Sequence, residues 1–156
     1  MARGLYCEGM VRNTPVRCFS RTIDPPGNVA GLRQWVAARD GAVMLESHGD
    51  LESDGKYSIY AWEPVRRLTV SAAAGVDPFA ALALLCASRH CFEISDFPYV
   101  GGWIGFFGYE AGRFVEPSAG WRKDERRLPL AHWGLYDTLL IYDRKVDRWF
   151  VSAVEL

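Results

Sequence analysis

Between Tyr99 and Glu116 the chain reads YVGGWIGFFGYEAGRFVE, with Gly101, Gly102, Gly105, Gly108 and Gly112 threaded through Trp103, Ile104, Phe106, Phe107 and Tyr109. Glycine in a strand costs conformational entropy and packs nothing, so this density implies a backbone or a ligand in close approach. The interleaved aromatic residues are expected to be buried, and Glu110-x-x-Arg113-x-x-Glu116 to return the chain to water. The spacing G-G-x-x-G-x-x-G matches neither the dinucleotide fingerprint nor a phosphate loop ending in Gly-Lys-Ser/Thr. The expectation is a packed glycine strand rather than a nucleotide cradle.

At 156 residues, 49% of them hydrophobic, the chain has the size of one ordinary domain with a real core. Its 13% aromatic content, six Trp included, favours large flat side chains in that core or along an apolar slot. Basic and acidic residues number 18 and 19, so no general field exists to attract nucleic acid or an anionic membrane. Cys7, Cys18, Cys86 and Cys91 contain no C-x-x-C. Cys86 and Cys91 flank His90 without a second ligand pair, which argues against zinc and for reduced cysteines. MARGLYCEGMVRN has no continuous apolar segment of the signal-peptide kind, and the run Phe79 to Ala87 is too short to span a bilayer. A cytoplasmic location is expected.

Taken in order, residues Met1 to Pro15 read as a lead-in and Val16 to Ser20 as a first strand. Asp24-Pro25-Pro26-Gly27-Asn28 sets up a helix from Val29 to Arg39, with Leu32, Trp35 and Val36 as its apolar stripe and Arg33, Gln34 and Arg39 facing water. Ala42 to Ser47 reads as a short buried strand and His48 to Gly55 as an acidic loop. Lys56 to Trp62 alternates, which puts Tyr57, Ile59 and Ala61 on one face and Lys56, Ser58, Tyr60 and Trp62 on the other. Glu63-Pro64 ends that strand, and Arg66 to Ala72 is expected to return antiparallel to it. Asp77-Pro78 starts a second helix running to about His90, its stripe formed by Phe79, Leu82, Leu85 and Cys86. Pro117 to Pro129 is a solvated charged loop with Arg122 to Arg127 at its centre. His132 to Lys145 reads as one long strand turning at Asp143-Arg144, with Asp147 to Leu156 as its hairpin partner. The sum is an α+β fold: a curved, mostly antiparallel, sandwich-like sheet with two main helices.

Residues for catalysis are not found in a recognisable pattern. His48, His90 and His132 stand outside any motif, and no nucleophile elbow or H-E-x-x-H occurs. Asp137 and Asp143 are about 20 Å apart by strand rise, too far to act as a carboxylate pair. A binding signal is present instead. Strand alternation puts Leu45 and Ser47 on one face, and Tyr57 paired onto that face completes an apolar wall with a hydroxyl. Glu46 and Lys56 lie at its rim. A zwitterionic amino acid needs those elements: an apolar slot, an acceptor for its ammonium and a cation or donor for its carboxylate. An ordinary core flanked by a surface ion pair is the competing reading.

Several segments together carry a resemblance. They are Met44-Leu45-Glu46-Ser47, Gly55-Lys56-Tyr57-Ser58-Ile59 closing at Glu63-Pro64, Gly101 to Glu116, and Leu135-Tyr136-Asp137 with Tyr142-Asp143. In this order they resemble the N-terminal domain of the chorismate-utilising component I enzymes, anthranilate synthase and aminodeoxychorismate (para-aminobenzoate) synthase, from about Asp24 onward. The resemblance implies that residues 1–156 form one non-catalytic N-terminal domain, with the chorismate-binding domain and its magnesium site lying C-terminal to it. No cofactor is then expected in this segment. Leu45, Glu46, Ser47, Lys56, Tyr57 and Ser58 would match the family's tryptophan pocket, and a glutamine amidotransferase subunit would supply ammonia to the parent enzyme. Lys56 stands where Arg is usual, Phe106 where Tyr is common and Glu110 where Asp is common. Gly112-Arg113-x-x-Glu116 and Gly134-Leu135-Tyr136-Asp137 look more like the aminodeoxychorismate branch, on the route to folate. Glu46-Ser47 keeps the anthranilate branch open, where the pocket would serve feedback inhibition. A stand-alone ligand-binding or interaction domain is the non-enzyme alternative.

Overall fold

Ten strands and two α-helices are found among residues 15–49, 55–86, 91–92, 99–121 and 127–155, which the computed structural model describes. In chain order they are β1 (Pro15–Val16), β2 (Cys18–Ile23), α1 (Val29–Ala37), β3 (Val43–Leu45), β4 (Tyr57–Ala61), β5 (Arg66–Val70), α2 (Pro78–Cys86), β6 (Cys91–Phe92), β7 (Gly102–Phe107), β8 (Ala131–Tyr136), β9 (Thr138–Asp143) and β10 (Arg148–Val154). A five-stranded antiparallel sheet has the order β2-β10-β9-β4-β3, and a three-stranded one the order β5-β8-β7. The short β1–β6 pair is parallel. The α+β architecture read from the sequence is therefore the one observed.

Each helix begins where local chemistry dictates. Asn28 Oδ1 accepts the Gly31 amide at 3.0 Å and caps α1. Asp77 Oδ1 accepts the Phe79 and Ala80 amides at 2.9 and 3.4 Å and caps α2, with Pro78 at the first helical position. The chain leaves α1 through Gly41, whose φ of +62° suits glycine and whose added Cβ would lie 2.5 Å from the Pro64 ring.

Two predicted strand relationships differ. β5 does not return onto β4; it pairs with β8 in the other sheet. Glu63 adopts φ +52° and Pro64 has no amide to donate, so the chain turns out of the first sheet there, and Val65 N–H takes the Leu135 carbonyl. Likewise the stretch from His132 onward is not one strand. It breaks at Asp137 into β8 and β9, which belong to different sheets, and the Asp137 carbonyl accepts the Val154 amide at 2.7 Å. The β9–β10 hairpin is as expected. The lead-in strand is divided at Arg17 and extends to Ile23.

The two sheets meet over Ala61, Tyr136, Leu139 and Ile141, with Ile104 of β7 packed against them. On the far face of the five-stranded sheet, Val36 of α1 covers Tyr60, Leu140 and Trp149. A third cluster, Val70, Ala111, Leu130 and Ala131, holds Phe79 of α2 and Phe107 of β7. The glycines of β7 allow the close approach inferred from sequence: a Cβ on Gly105 would overlap the His132 carbonyl oxygen, and one on Gly108 the Pro129 carbonyl oxygen.

Burial departs from expectation in four places. Phe106 and Tyr109 are exposed, because Phe106 shares the open end of its sheet face with Thr69 and His132, and Tyr109 begins a 3₁₀ segment beyond β7. Trp35 is half exposed, set edge-on to Trp62 at 5.1 Å beneath the Arg39 guanidinium. The Ala42–Ser47 strand is an edge strand pairing with β4 alone, which leaves Met44 and Leu45 exposed. Cys86 is exposed rather than part of a buried stripe. Expectations for residues 1–14, 50–54, 87–90, 122–126 and 156 lie outside the described residues.

Candidate functional site

The β3–β4 register decides what the motif residues can do. Leu45 lies opposite Ile59, and Met44 opposite Tyr60. Period-two alternation then sends Leu45, Tyr57 and Ile59 to one face and Glu46, Ser58 and Tyr60 to the other.

On the first face Leu45, Ser47, Tyr57 and Ile59 line an open groove of about 480 Å³. Tyr99 closes one side, its ring edge-on to Tyr57 at 5.6 Å. The Lys56 ammonium stands 4.6 Å over the Tyr57 ring and 3.6 Å from Asp143 Oδ2. Its interaction with Tyr57, reinforced by the Asp143 charge, raises the Lys56 pKa above the usual lysine value. The groove therefore offers aromatic and aliphatic surface, the Ser47 hydroxyl and an adjacent cation.

The opposite face is built differently. Glu46 Oε1 accepts from Arg33 Nε at 2.7 Å and from the Tyr60 hydroxyl at 2.5 Å. The bond from Arg33 and then that from Tyr60 hold the Glu46 carboxyl below its ordinary pKa. Burial, followed by the bond to Glu46, pushes Tyr60 up to about 12. Trp149 lies between Tyr60 and Tyr142, stacked on the latter at 4.7 Å. With Val29, Arg33, Arg144 and Asp147 these residues surround a second concavity of about 320 Å³. Buried Ser58 accepts the Ser47 amide at 3.3 Å, joining the two faces.

The six residues singled out by sequence are thus divided. Leu45, Ser47 and Tyr57 share the groove, Ser58 lines the second concavity, and Glu46 and Ser47 line both. Lys56 lines neither concavity; its ammonium lies over the Tyr57 ring and pairs with Asp143. Sequence reasoning missed Tyr99 and the Arg33–Glu46–Tyr60 cluster. Alternation in β4 could have paired Tyr60 with Glu46; nothing local pointed to Arg33, 13 residues earlier. Among the described residues no group of three or more His, Cys, Asp or Glu is placed to hold a metal ion, and no helix is long and apolar enough to cross a membrane.

No family model matches the sequence. Individual proteins do. The chain is 36% identical over 81 residues to anthranilate synthase alpha subunit 2, chloroplastic, of Oryza sativa subsp. japonica, an alignment covering 48% of this chain and 13% of the relative. It is 29% identical over 131 residues to anthranilate synthase component 1 of Leptospira biflexa, covering 73% of this chain and 27% of the relative. Against the component 1 of Saccharolobus solfataricus the figures are 28% over 114 residues, with 72% and 25% covered. These alignments support the chorismate-utilising component I family, the one to which the motifs point. The chain spans no more than about a quarter of the length of these relatives.

Proposed function

We propose that this chain is the N-terminal, non-catalytic domain of a chorismate-utilising component I enzyme and carries one wall of its tryptophan-type pocket. The observation behind the pocket is the convergence of Leu45, Ser47 and Tyr57 on one groove beside Lys56. A flat indole ring suits the surface formed by Leu45, Tyr57, Ile59 and Tyr99, and the Lys56 ammonium suits a carboxylate. The Glu46 carboxylate, engaged by Arg33 and Tyr60, acts in this reading as support for the wall.

The relatives named anthranilate synthase favour the anthranilate branch, with the groove serving tryptophan feedback. Feedback of this kind requires tryptophan to bind one interdomain arrangement better than another. The aminodeoxychorismate branch is the second reading, favoured by Gly112-Arg113-x-x-Glu116 and Gly134-Leu135-Tyr136-Asp137. In either case the parent enzyme would aminate chorismate with ammonia from a glutamine amidotransferase subunit. Magnesium and chorismate would be held in its C-terminal domain. Incubating the full-length parent with chorismate, ammonia and magnesium separates the branches by product, anthranilate or aminodeoxychorismate. Formation of neither product contradicts the proposal.

A further inference from the structure

β3 is three residues long, has one pairing partner, and ends at Leu45. The residues that follow it, Glu46 to His48, belong to no strand, yet Ser47 must be held in place for the groove to keep its shape. Among the described residues, two kinds of contact hold them. One is the Ser47 amide on Ser58 Oγ, at 3.3 Å a long bond. The other is Glu46, whose single oxygen Oε1 takes a donor from α1 and a donor from β4, both on the side of the sheet away from the groove.

We infer that Arg33, Glu46 and Tyr60 form a latch that positions the groove wall from behind, so that Arg33 on α1 governs the order of Ser47 without lining the groove. The inference concerns the same groove as the proposed function, although its principal test needs no ligand. Charge-assisted bonds are the stronger class, and two of them converge on the residue lying between Leu45 and Ser47 in the chain. Removing either donor leaves Glu46 with one of its two charge-assisted bonds, beside the β3–β4 ladder and the weak Ser47–Ser58 bond. The groove wall then opens locally while the sheet centre, built on Leu140 and Ile141, stays closed. Arg33 lies on the solvent side of α1 with its side chain about half exposed, so its replacement removes the bond without opening a cavity.

The test is native-state amide hydrogen exchange of the 156-residue chain as wild type, Arg33→Met, Tyr60→Phe and Arg33→Lys. The latch predicts exchange of the Ser47 amide faster by a few-fold in Arg33→Met, whose bond is partly solvent-screened, and by about tenfold in Tyr60→Phe. The Leu140 and Ile141 amides should be unchanged in Arg33→Met, and Arg33→Lys, which keeps a donor, should recover part of the protection. Equal Ser47 exchange in wild type and Arg33→Met overturns the inference, as does a uniform rise across all amides. L-tryptophan added to the same samples distinguishes the two claims. If Ser47 exchange responds to Arg33 but the wild type does not bind tryptophan, the latch stands and the pocket reading fails.

Discussion

Gly105 of β7 sits so close to His132 of β8 that a Cβ at position 105 would overlap the His132 carbonyl oxygen and press on the Trp133 Cα. Both obstructing groups are backbone, and neither can rotate aside. Gly105→Ala should therefore destabilise the protein by about 1–3 kcal/mol, as overpacking does. Gly27→Ala, at a position with nothing within 4 Å, should be near neutral. Thermal or urea unfolding of the two variants checks the contrast.

The start of α2 gives a second expectation. Asp77 Oδ1 satisfies two amides that the helix itself leaves unpaired. Asp77→Ala should cost about 0.5–2 kcal/mol, and Asp77→Asn, which keeps an acceptor, considerably less. Urea unfolding followed by circular dichroism measures both.

Acid and alkali should act on opposite ends of one hydrogen bond. The Glu46 pKa is lowered in the folded state, chiefly by the bond from Arg33 and then by that from Tyr60. Its contribution is present above the unfolded value of about 4.3 and is lost as pH falls through the folded value. The Tyr60 pKa is raised to about 12, first by burial and then by Glu46. Its contribution is complete below about 10 and is lost as pH rises toward the folded value. Tyr136 and Tyr142 are also raised, by burial and by the bond to Asp147 respectively, so Tyr60→Phe should reduce the alkaline loss without abolishing it. Urea midpoints recorded against pH, for wild type, Glu46→Gln and Tyr60→Phe, give the comparison.

Features settled by neighbours in the chain were legible in the sequence. The Asp77-Pro78 start, the β9–β10 hairpin and the alternation through Tyr57, Ser58, Ile59 and Tyr60 all follow from local rules. Which sheet a strand joins does not. Glu63-Pro64 and Asp137 look like a turn and a strand interior, yet both are points where the chain crosses between sheets. Exposure failed for the same reason, since Phe106 and Leu45 are apolar residues whose surroundings depend on distant pairings. At the candidate site, period-two geometry puts Leu45, Tyr57 and Ile59 on one face, while Ser47 lies beyond the end of β3. Arg33 could not be foreseen, because its bond to Glu46 needs α1 folded across the sheet.

If the groove takes an aromatic amino acid, truncating its wall should weaken binding without unfolding the chain. Leu45 is half exposed, so Leu45→Ala should leave the unfolding temperature nearly unchanged while reducing tryptophan affinity by about tenfold, the effect of losing roughly 1.4 kcal/mol of ring contact. Calorimetric titration paired with a thermal melt separates the two effects.

The most direct test of the account is a ¹H–¹⁵N titration of the chain with L-tryptophan. Saturable shifts are expected, centred on the amides of Leu45, Ser47, Tyr57 and Ile59 and smaller in Ser47→Ala, with no product formed when chorismate and ammonia are added. Saturable shifts centred elsewhere, no shift at these amides, or turnover of chorismate by this chain would contradict it.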